Sequence, residues 1–188
     1  ITKLLSPWGI ALALLVAFLG WQGYGYWQDR GLQDVLMSDP AFATPQLTLD
    51  FSKTIPYDPL NFVGRGAHAG LWTWTPKGLE LTPEGGKYFR MEGDQIISQA
   101  TAGKRRLARI QLQSTKSDGE QIDFFYEWME ITPAAAALLV PPPKLGEQYL
   151  AKATLVREGD AWRITTLETR DFDEPLGHLQ DIAHGVRR

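Results

Sequence analysis

Arg106-Leu-Ala-Arg-Ile-Gln-Leu-Gln-Ser-Thr-Lys-Ser-Asp-Gly-Glu-Gln-Ile-Asp-Phe-Phe-Tyr-Glu-Trp-Met-Glu130 holds the pattern that decides the fold. Two runs, Arg106 to Thr115 and Gln121 to Glu130, flank Ser117-Asp118-Gly119-Glu120, and Asp-Gly between alternating runs is the strongest local cue for a β-hairpin. On the second run Ile122, Phe124, Tyr126 and Trp128 share one face, while Asp123, Phe125, Glu127 and Met129 share the other. Side chains alternate across a strand, so the aromatic face is expected to be buried.

Toward the C-terminus, Thr132-Pro133 is expected to cap a brief Ala-rich helix to Leu139, stopped by Pro141-Pro142-Pro143 as a stiff extended connector. A second hairpin is expected from Gln148–Arg157 and Ala161–Arg170, turning at Glu158-Gly159-Asp160, with Trp162, Ile164 and Thr166 in alternation. Asp173-Glu174-Pro175 reads as the opening of a last helix, with Leu176, Leu179, Ile182 and Ala183 on its apolar side.

Toward the N-terminus, Trp72 to Thr82 reads as two short strands about Pro76-Lys77-Gly78, and Thr82-Pro83-Glu84 as the cap of a short helix carrying Tyr88 and Phe89. Residues 29–65, with Pro40, Pro45, Pro56 and Pro59, read as an extended tether holding one short strand near Leu47, Leu49 and Phe51. The expected soluble domain is then 66–188 and its class α+β: a bent antiparallel sheet built from hairpins, with short helices. In this general style it resembles cystatin-like and NTF2-like envelope domains. The segment Leu81-Thr-Pro-Glu-Gly-Gly-Lys-Tyr-Phe89, followed by a basic stretch and the aromatic strand, also resembles small bacterial envelope proteins of uncharacterised function.

From Leu4 to Gln28 no residue is charged. About 25 residues at 1.5 Å each span roughly 37 Å, which suffices for a hydrocarbon core of about 30 Å. Residues 1–28 therefore read as a retained transmembrane helix rather than a cleaved signal, because Phe18-Leu19-Gly20-Trp21 is bulky where a cleavage site needs small side chains. Trp8 at one end and Trp21, Tyr24, Tyr26 and Trp27 at the other suit the headgroup level. Gly9, Ala13, Ala17 and Gly20 form a stripe of small residues of the kind that lets another helix approach. Lys3 before the span and an acid-leaning stretch after it place the N-terminus in the cytoplasm and the domain in the periplasm of a bacterial inner membrane.

A net charge of −3 with interspersed signs gives no footprint for nucleic acid. The absence of cysteine excludes disulfides, thiolate metal sites and a catalytic thiol. His68, in Gly64-Arg-Gly-Ala-His-Ala-Gly70, lacks the Lys-Ser or Lys-Thr of a phosphate loop, so a close-packed or flexible loop is expected. His178 and His184 stand six apart, a poor spacing for two ligands on one helix, and Asp171, Asp173 and Glu174 lack the glycine and distal glutamate of a calcium loop. Lys104, Arg105, Arg106 and Arg109 form the basic cluster of the chain, which anionic headgroups, an acidic neighbouring subunit or a phosphate could use; the favoured reading is a solvated strand edge.

No nucleophile, acid pair or metal set stands in a diagnostic setting, so neither catalytic residue, cofactor nor metal is expected, and the chain reads as no enzyme. The functional expectation is a single-pass accessory subunit of a membrane complex, respiratory or photosynthetic, with the bilayer and other transmembrane subunits as partners. Its rival is a membrane-tethered envelope domain that binds a ligand or assists assembly.

Overall fold

The computed structural model describes residues 31–116, 119–159 and 161–185. In chain order these form helix α1 (31–38), α2 (Pro40–Ala43), β1 (Asp50–Ser52), α3 (Phe62–His68), β2 (Trp72–Thr75), β3 (Gly78–Leu81) and a 3-10 turn at Gly85–Lys87. They continue with β4 (Phe89–Glu92), β5 (Gln95–Ser98), β6 (Gly103–Lys116), β7 (Gly119–Ile131), α4 (Pro133–Leu138), β8 (Gln148–Glu158), β9 (Ala161–Glu168) and α5 (Arg170–Ala183).

Three antiparallel sheets result: β6-β7-β8-β9, β1-β5-β4 and the pair β2-β3. The large sheet realises the two hairpins read from alternation. Ile122, Phe124, Tyr126 and Trp128 of β7 are all buried, and their cross-strand partners Ala153, Ala151 and Tyr149 put the neighbouring strand's small and aromatic residues on the same face. Register shifts between Leu107 and Arg109, between Ile110 and Leu112, and between Thr154 and Leu155 mark bulges, where strands bend and twist more strongly.

The single-pass architecture expected from the sequence is corrected here. No helix of the described residues is long and apolar enough to cross a membrane. The chain described is an α+β domain of antiparallel sheets and short helices. The segment that carried the anchor reading, 1–28, with its stripe Gly9, Ala13, Ala17 and Gly20 and its aromatic residues Trp8, Trp21, Tyr24, Tyr26 and Trp27, lies outside the described residues. The accessory-subunit role, the bilayer and transmembrane partners, and the inner-membrane location depended on that segment alone. They are withdrawn with it.

Residues 31–65 also differ from the tether expected of them. Leu32, Leu36, Phe42, Leu47, Leu49, Phe51, Phe62 and Val63 are buried in the same cluster as the β7 aromatics. Their prolines punctuate structure rather than prevent it. Pro40 opens α2, where its missing N–H costs nothing, and the Asp39 carboxylate caps that helix by accepting from the Ala41 amide at 2.7 Å. The carbonyl of Pro45 accepts from the Ala102 amide at 2.7 Å, at the entry to β6. Phe42 then meets Phe124 and Tyr126 edge-on, with ring centroids 5.4 and 5.7 Å away.

Two smaller differences have local causes. Thr82 does accept a bond from the Gly85 amide at 3.0 Å, but the turn it starts is 3-10 and ends at Lys87. Paired glycines favour no longer helix, and Phe89 enters β4 instead. In α5 the start lies at Arg170 rather than Asp173. The Asp173 carboxylate reaches back to the Thr169 amide at 2.7 Å, so it closes the first turn from inside the helix.

Phe42 gives the direct test of the corrected boundary. Phe42→Ala is expected to lower unfolding free energy by about 3–5 kcal/mol in urea titration, as for other large aromatics removed from a core. Leu60→Ala, at a side chain 87 % exposed, is expected to change it by no more than about 0.5 kcal/mol. Equal, small effects would return the stretch to a tether.

Candidate functional site

The basic stretch at the start of β6 dissolves into separate roles. Lys104 pairs with Glu130 at 2.8 Å, Arg106 with Glu127 at 2.9 Å, and the Arg109 guanidinium lies 4.3 Å over the Phe125 ring. Arg105 departs from the expected solvated edge: it is only 3 % exposed. Its guanidinium sits 4.4 Å from the Trp128 ring, 4.7 Å from Phe172 and 4.9 Å from Tyr126. Nη1 donates to the Thr169 hydroxyl at 3.3 Å, whereas Nε and Nη2 have no hydrogen-bond acceptor and meet the aromatic cage alone. Burial pulls its pKa below the ordinary value, opposed by the fields of Tyr126, Asp171 and Asp173.

Asp171, in the first turn of α5, stands beside this cage. Its carboxylate accepts a short hydrogen bond from the Tyr126 hydroxyl and another from Trp128 Nε1 at 3.4 Å. Burial nevertheless raises the carboxyl's pKa above its usual range, with Tyr126, Arg105 and Trp128 acting in the opposite direction. Burial, partly offset by Arg105, holds the Tyr126 phenol far above its ordinary value. So β6, β7 and the first turn of α5 are joined through one caged cation and one half-buried carboxylate.

Asp171 also lines a groove of about 590 Å³. One wall is the Val140–Pro143 connector after α4, the floor is Tyr149 and Leu150 at the start of β8, and the opposite wall is α5 with Arg170, Glu174, Pro175 and His178. Val140 and Leu150 are about half exposed, at 51 % and 48 %, so the groove presents apolar surface to solvent. Around its rim Arg170 pairs with Glu174 at 2.8 Å and Lys144 with Glu147 at 3.5 Å. The Tyr149 hydroxyl accepts from the Lys144 amide at 3.0 Å, and burial raises the pKa of that phenol.

The histidines do not converge. His178 lines the groove, His184 lies 3.4 Å from Asp50, and His68 ends α3 beside Arg65 in a separate depression. The glycine-rich stretch around His68 is a packed helix. A Cβ on Gly66 would stand 2.0 Å from the Trp72 ring and one on Gly64 2.5 Å from Pro59, so close approach accounts for both glycines. Among the described residues no group of three or more His, Cys, Asp or Glu is placed to hold a metal ion. Asp173 and Glu174 are engaged with the Thr169 amide and Arg170.

Arg105, expected on a solvated edge, and Asp171, weighed only as a calcium ligand, both take roles that differ from those expectations. A signal for Arg105 was present: it shares parity with Leu107, whose partner on β7 is the buried Tyr126, and so falls on the inner face opposite Trp128. No comparable pattern announces Asp171, which reaches the cage only because α5 starts three residues earlier than its proline suggests. No protein family, curated protein or solved structure matches this chain.

The raised pKa of Asp171 makes a signed prediction. A carboxyl whose folded pKa exceeds its unfolded pKa favours the fold while protonated, so its contribution is fullest below the ordinary carboxylate range and is lost as pH rises through the raised value. The groups acting on it are Arg105, Tyr126, Trp128 and Tyr149 from the sheet and its own backbone amide in the helix. Urea midpoints measured from pH 4 to pH 7 are expected to decline with this component in the native chain. The decline should be smaller in Asp171→Asn, and an unchanged slope would remove Asp171 as its source.

Proposed function

We propose that this domain is a non-catalytic binding module whose ligand occupies the groove between the proline connector, the start of β8 and α5. The observation that carries this reading is the groove itself: a concavity of about 590 Å³, in the range of small-ligand sites, with half-exposed Val140 and Leu150 on its surface. Solvent-exposed apolar side chains of this size gain by being covered, at about 25 cal/mol per Å².

Binding is favoured over chemistry by how the groove's polar groups are used. The Tyr149 hydroxyl and the side chains of Lys144, Glu147, Arg170 and Glu174 already bond to one another or to the backbone. Asp171 has a perturbed pKa of the kind found in acid–base sites, but both of its oxygens accept from core donors that hold α5 in place. A group that anchors the fold in this way is poorly free to exchange protons with a substrate.

The neutral fluorophore N-phenyl-1-naphthylamine tests the reading. It is expected to bind the full chain with enhanced emission, and Leu150→Asp should weaken that binding about tenfold by placing a charge on the apolar floor. Met91→Asp, at a 41 % exposed position on β4 away from the groove, should leave it unchanged. Equal binding by the native chain and Leu150→Asp would contradict the proposal.

A further inference from the structure

We infer that the ligand of this groove carries an ammonium head that sits on Asp171, with an apolar body laid along Pro141–Pro143 and Leu150. The inference rests on the binding-module reading and adds the charge of the ligand to it.

Each cation on the rim is matched by a glutamate within ion-pair distance, Arg170 by Glu174 and Lys144 by Glu147. The carboxylate left over is Asp171. Arg105, whose field reaches it, is held in the aromatic cage, where the one hydrogen bond of its guanidinium goes to Thr169. The groove therefore contains one carboxylate without a direct ion-pair partner.

A carboxylate offers about four lone-pair sites, and Tyr126 and Trp128 use two from the core side. Acceptor capacity remains on this carboxylate, whose residue lines the groove. An ammonium group placed there gains charge-assisted hydrogen bonds in partly desolvated surroundings and offsets the burial that disfavours the ionised carboxyl. Tyr149, an aromatic residue, lines the same groove. A ligand of the same length with a hydroxyl head gains only the apolar burial. One with a carboxylate head meets Asp171 as a like charge.

Three probes of equal length separate these cases: n-hexylammonium, n-hexanol and n-hexanoate, titrated into the isotope-labelled full chain at pH 7 and followed by amide shifts at Leu150, Asp171 and His178. Hexylammonium is expected to bind about tenfold more tightly than hexanol, the value of one added charge-assisted bond, with hexanoate weakest. In Asp171→Asn the ammonium advantage should disappear while hexanol is unaffected. If that variant does not fold, the ranking of the three probes on the native chain decides alone. Equal binding of hexylammonium and hexanol, or tightest binding of hexanoate, would overturn the inference and leave the groove reading intact. Absence of groove shifts with all three would overturn both.

Discussion

Arg105 carries a full charge into the space where β6, β7 and the first turn of α5 meet, and the arrangement around it sets where α5 lies. Removing a guanidinium from water costs several kcal/mol, and three aromatic faces at 4.4–4.9 Å return about 2 kcal/mol or more each only because the site is dry. The Asp171 field and the Thr169 hydroxyl act in the same direction. Such a cluster is poor evidence for added stability. Its effect is on specificity of placement: only one position of α5 puts Phe172 on the guanidinium, Asp171 on Tyr126 and Trp128, and Thr169 within reach of Nη1.

The groove inherits its geometry from that placement. Asp171 points one way into the cage and borders the groove on the other, and the same helix contributes Arg170, Glu174 and His178 to the wall. The opposing wall comes from the prolines after α4, which lack N–H donors; the chain bends at 139–141, with a cis Val140–Pro141 peptide, rather than running straight on as the extended connector expected from the sequence. Residues 31–65 support this from beneath: Phe42 of α2 packs on Phe124 and Tyr126, the ring whose hydroxyl holds Asp171.

Legibility in the sequence followed the range of the interactions. Alternation and Asp-Gly located β6 and β7, Glu158-Gly159 located the turn after β8, and Thr132-Pro133 located α4, because each is decided by neighbours in the chain. A short strand was legible near Phe51, but its pairing with β5 was not, since Phe51 and Ile96 are opposed across a long separation and the run around Ile96 is too short to alternate. Proline-rich 31–65 was misread for a related reason: its apolar residues are spaced by contacts with the β7 aromatics rather than by a period of their own. Within the groove, the connector prolines were singled out as a stiff extended segment, but their closeness to α5 depends on the cage and has no local signature. The anchor reading was made on a segment outside the described residues and does not extend to the α+β domain.

Native-state hydrogen exchange in Arg105→Met tests most directly whether the caged cation places α5. Methionine fills much of the same space without the charge, leaving Asp171 buried without its field partner. The account predicts that amides of α5 from Phe172 to Leu179 lose protection by about tenfold or more while β7 and β8 keep theirs, the pattern of a local rather than a global opening. Unchanged protection in α5, or a uniform loss across α5, β7 and β8, would contradict it.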